Sequence, residues 1–214
     1  MTASRAWRLA AAAPALAGVV FLGGCVTLFP KAEPSQLYRF EVGAAASATP
    51  ASGPRLDVQL TGYDFDSAAG GDQLLTTHES SVAFVAGARW EEPASELFHA
   101  ALTRSLEAGG KLRVVGAGQM KAPLRLRISV TRFEAEYGEG KDAVPTIVVR
   151  LHATIERQSD LAVLDERDFE GRTPAEANRV SAMVTAYDVA SAKALGDLAG
   201  WVADTGAASG ATPD

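Results

Sequence analysis

The sequence predicts an α+β domain: a mostly antiparallel sheet with two amphipathic helices packed on one face. Three observations carry that prediction. Several segments alternate apolar and polar residues with period two, as half-buried strands do. Two segments repeat apolar residues at three- and four-residue steps, as helices with one buried stripe do. The blocks run strands, helix, strands, helix, an order that suits helices gathered on one face of a sheet.

Taken in order, Leu37, Tyr38, Arg39 and Phe40 make a short apolar patch suited to a first strand. Residues 43–54 are Gly, Ala, Ser, Thr and Pro only and predict a flexible linker. Over residues 55–60, Leu56, Val58 and Leu60 fall on one side of a half-buried strand. Residues 74–77 and 81–86 predict two more strands, paired as a hairpin across His78, Glu79 and Ser80.

Pro93 opens a helix, because its fixed φ and missing N–H suit a first turn, and Glu91, Glu92 and Glu96 complement the positive helix end. Leu97, Phe98, Ala101, Leu102 and Leu106 form its buried stripe, with His99 and Arg104 outside it. Gly109 and Gly110 end it.

Leu126, Ile128 and Val130 then alternate with Arg125, Arg127, Ser129 and Thr131. After Arg132 the parity flips to Phe133, Ala135 and Tyr137, which predicts a bulge or bend. A turn at residues 138–142 leads into a second alternating strand with Ile147, Val149, Leu151, Ala153 and Ile155, antiparallel to the first. A last strand over residues 162–171 follows the turn at Ser159 and Asp160 and completes a meander. From residue 180 to 202, Val184, Tyr187, Leu195, Leu198 and Val202 sit at helical spacing with Ala190 and Ala194 between them, predicting the second helix.

Upstream of the domain, residues 1–24 have the layout of a signal peptide. Arg5 and Arg8 precede an apolar run over residues 9–22. As a helix that run is about 21 Å long, short of the ~30 Å hydrocarbon core of a bilayer. It ends in Leu22, Gly23, Gly24 and Cys25, which resembles a lipobox. The resemblance implies cleavage before Cys25, with a thioether-linked diacylglycerol and an N-acyl chain on that cysteine and no other cofactor. Two or more chains anchor a protein stably on a bilayer, where one alone is marginal. Val26 stands where an Asp would favour inner-membrane retention, so the expected location is the cell envelope facing the periplasm, at the outer membrane rather than the inner.

The expected division is therefore a signal peptide (1–24), a lipidated N-terminus with first strand and linker (25–54), an α+β domain (55–204) and a disordered tail (205–214). Cleavage removes two arginines and takes the net charge from −6 to −8, which argues against nucleic acid as a partner. Cys25 is the sole cysteine, so a lipidated chain has no disulfide and depends on its core for stability.

The run from Asp72 through Thr77, then Val82-Ala83-Phe84-Val85-Ala86-Gly87-Ala88-Arg89-Trp90 and Glu91-Glu92-Pro93 before the helix, resembles the ABC-type transport auxiliary lipoproteins. The resemblance extends over residues 37–204, and Arg89-Trp90 with Pro93 is its most specific part. The linker before Arg55 is longer here than in that family. What the resemblance implies is a role beside an MCE-domain protein and an ABC permease and ATPase that move lipids between the two envelope membranes, as for the auxiliary lipoprotein of the paraquat-inducible complex and the auxiliary components of cholesterol transport systems.

Arg89, Trp90 and Trp201 are the candidate partner-docking residues, since Trp and Arg are favoured interface anchors. Each has a plainer use. Trp90 can staple the helix onto the sheet, Arg89 can pair with Glu92 or Glu96, and Trp201 can pack the end of the last helix. His78, His99 and His152 show no metal-binding spacing, and Asp64, Asp66 and Asp72 lack the EF-hand pattern. Neither a Gly-x-Ser-x-Gly elbow nor a P-loop occurs, so the expected role is binding without catalysis. The rival expectation is a carrier that holds one lipid in a cavity between sheet and helices; homo-oligomerisation is left open.

Overall fold

The computed structural model describes residues 35–40, 42, 54–116, 122–140 and 143–210. The lipobox, Cys25 and nearly all of the expected linker lie outside them. In chain order the elements are β1 (Gln36–Tyr38), β2 (Leu56–Phe65), β3 (Gln73–His78), β4 (Ser81–Trp90), α1 (Ala94–Ala108), β5 (Leu112–Val115), β6 (Leu124–Tyr137), β7 (Thr146–Arg157), β8 (Val163–Pro174) and α2 (Val180–Ala208).

The 14-residue strand β6 organises the sheet. Its first half pairs with β2 and its last residues with β3, both parallel and along one edge, so β2 and β3 run end to end. Along its other edge lies β7, antiparallel, and β8 follows antiparallel to β7, completing the expected meander. Beyond β2 lies β5, parallel to it; beyond β3 lie β4, antiparallel, and then β1, parallel to β4. The α+β class holds, but the sheet is mixed and not mostly antiparallel. Every parallel pair joins strands separated by other elements in the chain, and parallel strands require such long connections. Period-two alternation tells which side chains turn inward and is silent about which distant strand lies alongside.

The predicted parity flip is real. The register of β6 against β7 shifts between Val130 and Arg132, and the extra residue turns Phe133 and Ala135 onto the same face as Leu124, Leu126, Ile128 and Val130. Both helices cover that face. Phe133 is the hub beneath them, with ring centroids 5.5 Å from Phe40, 5.5 Å from Phe65, 5.8 Å from Phe98 on α1 and 4.6 Å from Tyr187 on α2. Such ring pairs add about 0.5–1.5 kcal/mol each beyond the area they bury.

α1 begins at Ala94 with Pro93 at its N-cap, and no side chain caps it. Its first N–H groups are satisfied instead by backbone: Ala94 N donates to Gly71 O at 2.9 Å and Ser95 N to Gly70 O at 3.3 Å. The loop between β2 and β3 thus seats the helix. Ala94, Phe98, Ala101, Leu102 and Leu106 are buried, which matches the expected stripe but for Leu97, only partly buried, and adds Ala94.

α2 runs to Ala208, so residues 205–208 belong to a helix and not to the expected tail. The reason is burial: Gly206 sits on the sheet, where an added Cβ would lie 2.2 Å from Leu56 Cδ2. Where α2 crosses β8 the backbones nearly touch, and a Cβ on Gly171 would lie 1.9 Å from Ala190 O. Leu112–Val115 is a strand that the sequence patterns do not reveal, four residues in a short stretch bounded by Gly110 and Gly116. The first strand is in place, which puts residues 36–38 inside the sheet and ahead of the expected domain start at residue 55.

Candidate functional site

The face of the sheet away from the helices is a lattice of ion pairs. Arg125 and Arg127 reach Glu156 at 3.6 and 3.8 Å, Arg132 binds Glu134 and Glu136, and Arg172 reaches Glu136 at 3.0 Å. Arg150 Nε donates to Glu170 at 2.7 Å, and His152 Nδ1 lies 2.8 Å from Asp168. Hydrogen bonds from Arg132 and then Arg172 hold the Glu136 carboxyl below its ordinary value. Charges spent on one another in this way are a solvated surface, each pair worth little.

Of the three docking candidates, two are removed from the surface. Trp90 is 2% exposed and packs edge-on against Tyr187 at 5.2 Å, so it is a core residue joining β4 to α2. Trp201 is 6% exposed, lies against Phe169 at 5.3 Å, and donates its indole N–H to Asp165 at 2.7 Å. That hydrogen bond holds the Asp165 carboxyl low. Arg89 remains accessible, but its partner is Asp72 at 2.7 Å and neither Glu92 nor Glu96. It shares the register Gln73–Arg89–Leu37 across three strands. The neighbouring Glu91 is held by Arg39, whose hydrogen bond lowers the Glu91 carboxyl.

Other polar candidates serve local structure. Asp66 Oδ1 accepts the N–H groups of Ala68 and Ala69, both at 3.0 Å, which folds the loop that seats α1. Tyr63 donates its hydroxyl to Ser95 O at 2.8 Å, and burial, with Glu96 adding to it, raises its pKa. The His99 ring lies 4.9 Å from that of Tyr63, and His78 Nδ1 lies 3.2 Å from Tyr137 O. Among the described residues no three His, Cys, Asp or Glu side chains gather as metal ligands.

One surface was missed by sequence reasoning. β1 pairs with β4 only over Ala88–Trp90, and in the other half of β4 Val82 is 61% and Phe84 45% exposed. The small residues between and after them, Ala83, Ala86 and Gly87, are exposed too, so this half of the strand projects with both faces wet. Leu37, on the adjacent β1, is 63% exposed. The signal was present: Val82 through Ala86 are all apolar, with none of the polar alternation of a strand that has one wet face.

Space for a lipid between sheet and helices is taken up by Phe40, Trp90, Phe98, Phe133 and Tyr187, all buried. A groove of about 220 Å³ opens between the end of α1 and the outer side of α2, lined by Leu106, Leu112, Gly196 and Gly200 among others. Small-molecule sites run to roughly 300–1,000 Å³, so this groove is undersized for those. A cleft of about 780 Å³ between β8 and α2 is large enough, but it is open and edged by Asp165, Arg167, Asp197 and Asp204, a poor lining for an acyl chain.

A filled two-layer core, a self-paired charged face and an exposed apolar half of β4 define an α+β domain of one sheet and two helices. The chain belongs to the family of ABC-type transport auxiliary lipoprotein components, whose pattern it matches over residues 38–199. Its fold is similar to that of a Xanthomonas campestris protein of the DUF330 family, at 22% identity and a TM-score of 0.71, over 83% of this chain and all of that one. It is also similar to an uncharacterized protein at 14% identity and a TM-score of 0.61, over 79% of this chain and 99% of that one. No curated protein matches the chain.

Proposed function

We propose that this chain is the auxiliary lipoprotein of an MCE-type ABC system that moves lipids between the inner and outer membranes, and that it acts by binding, without catalysis. The observation that carries the reading is the family match over residues 38–199 in a chain whose upstream residues include Leu22-Gly23-Gly24-Cys25. Cleavage before Cys25 and acylation of its thiol tether the domain to the periplasmic side of a membrane, the outer one by the residue at position 26. Tethering confines domain and partner to one thin layer, which raises their effective concentration without any new contact. The partner is the MCE protein or its permease and ATPase assembly.

Two experiments test this. Tagged protein purified from envelopes enriches MCE and permease subunits relative to an unrelated lipoprotein; equal recovery from both overturns the partner. Cells fed labelled palmitate transfer the label to the wild-type chain and not to Cys25→Ser; a wild-type chain that takes up no label overturns the anchor.

A further inference from the structure

We propose that the free half of β4, residues 81–87 with Val82 and Phe84, together with Leu37 on β1, is a second membrane contact that rests on the bilayer holding the Cys25 lipid. The inference builds on the reading of Cys25 as the lipid site. Three observations meet here. The first is chemical: between Ser81 and Ala88 the strand contains no charged residue, and its large apolar side chains face water. A soluble edge strand is ordinarily guarded by charge, as β8 is by Asp165, Glu166, Arg167, Asp168, Glu170 and Arg172.

The second is direction. β1 is parallel to β4, with Gln36 beside Ala88 and Tyr38 beside Trp90. The N-terminal end of β1 therefore points toward the hairpin turn at Glu79 and Ser80. The third is reach. Cys25 precedes Gln36 by eleven residues, which span at most about 36–40 Å when fully extended. From Ala88 to the turn is only about 23 Å of strand. A bilayer that holds Cys25 is within reach of the hairpin.

The depth of the contact is limited by the backbone. The outer edge of residues 81–87 has no strand beside it among the described residues, and open edges are not tolerated in hydrocarbon. The hairpin therefore lies in the headgroup layer with Val82 and Phe84 turned to the acyl chains. Glu79 at its turn and the net acidic chain favour zwitterionic lipid over anionic lipid.

The test uses the acylated full chain in phosphatidylcholine vesicles, with Phe84→Trp as reporter and acyl-brominated lipid as quencher. Trp90 and Trp201 supply a buried background that the wild type measures. The expected result is loss of the added emission in brominated vesicles, together with a blue shift. Ala207→Trp, on the exposed end of α2 beside the start of β6 and about 40 Å from the turn, is expected to keep its emission. Flotation of the protein without extra quenching at position 84 overturns the hairpin contact and leaves the anchor standing. Equal quenching at 84 and 207 overturns it as well, because the domain then has no oriented face. Shielding of position 84 from aqueous iodide without bromolipid quenching assigns the hairpin to another protein surface instead. Failure to float overturns the anchor, and the inference falls with it.

Discussion

Gly171 is the position where one methyl group separates a close-packed helix from a displaced one. A Cβ there would lie 1.9 Å from Ala190 O and 2.7 Å from Ala190 C, both backbone atoms that no rotamer change can move. Ordinary contact begins near 3.4 Å, so α2 must retreat by roughly 1.5 Å where it crosses β8. A rigid helix cannot retreat at one residue alone, and Tyr187, Ala194, Leu195 and Leu198 would lose contact with the sheet together. Gly171→Ala is expected to cost about 3 kcal/mol, the upper end for overpacking. In a domain of this size that lowers Tm by about 6–12 °C. Gly196→Ala is the control: its Cβ meets nothing within 4 Å, and the substitution removes unfolded-state freedom, so a gain of about 0.5–1 kcal/mol is expected. Thermal unfolding followed by circular dichroism reads both. A Gly171→Ala variant that melts within a degree or two of the wild type would refute the close crossing of α2 over β8.

Phe133→Ala removes the ring that α1 and α2 share and should cost about 3–5 kcal/mol in urea unfolding. Trp201→Phe keeps a ring against Phe169 but loses the N–H to Asp165; stability should fall by about 1 kcal/mol. In the same variant the Asp165 carboxyl should titrate nearer its ordinary 3.8, as read by NMR. Acid should weaken the fold through Glu136, whose folded pKa lies below the ordinary 4.5 because Arg132 and Arg172 hydrogen-bond to it. The unfolded chain then binds the proton first, so this contribution is complete above pH 4.5 and is lost as pH falls through the folded value. Glu136→Gln should flatten that part of a plot of urea midpoint against pH.

The sequence by itself determined which residues turn inward and where the chain changes direction. Alternation located Leu126 to Val130 and Ile147 to Ile155, and the parity flip after Arg132 marked the bulge. Pro93 and Gly109 bounded α1, because proline and glycine act through local backbone geometry. Family membership was legible for a like reason: Arg89-Trp90 followed by Pro93 marks the join between a strand and a helix, which is continuous in the chain. The signal layout and Cys25 are also local, and they are the features on which the anchor proposal rests.

Tertiary structure alone decided neighbours and exposure. That β2 and β3 share one edge of β6, and that β5 lies parallel beyond β2, follows from long connections whose geometry leaves no trace in period-two patterns. The same limit explains the tryptophans. Trp90 and Trp201 are as suitable for an interface as for a core, and only the packing of Tyr187 and Phe169 around them buries them. Val82 and Phe84 have the composition of a core strand and are exposed because no described element packs over that half of β4. A side chain's hydrophobicity is written in the sequence; whether another element covers it is a property of the assembled fold.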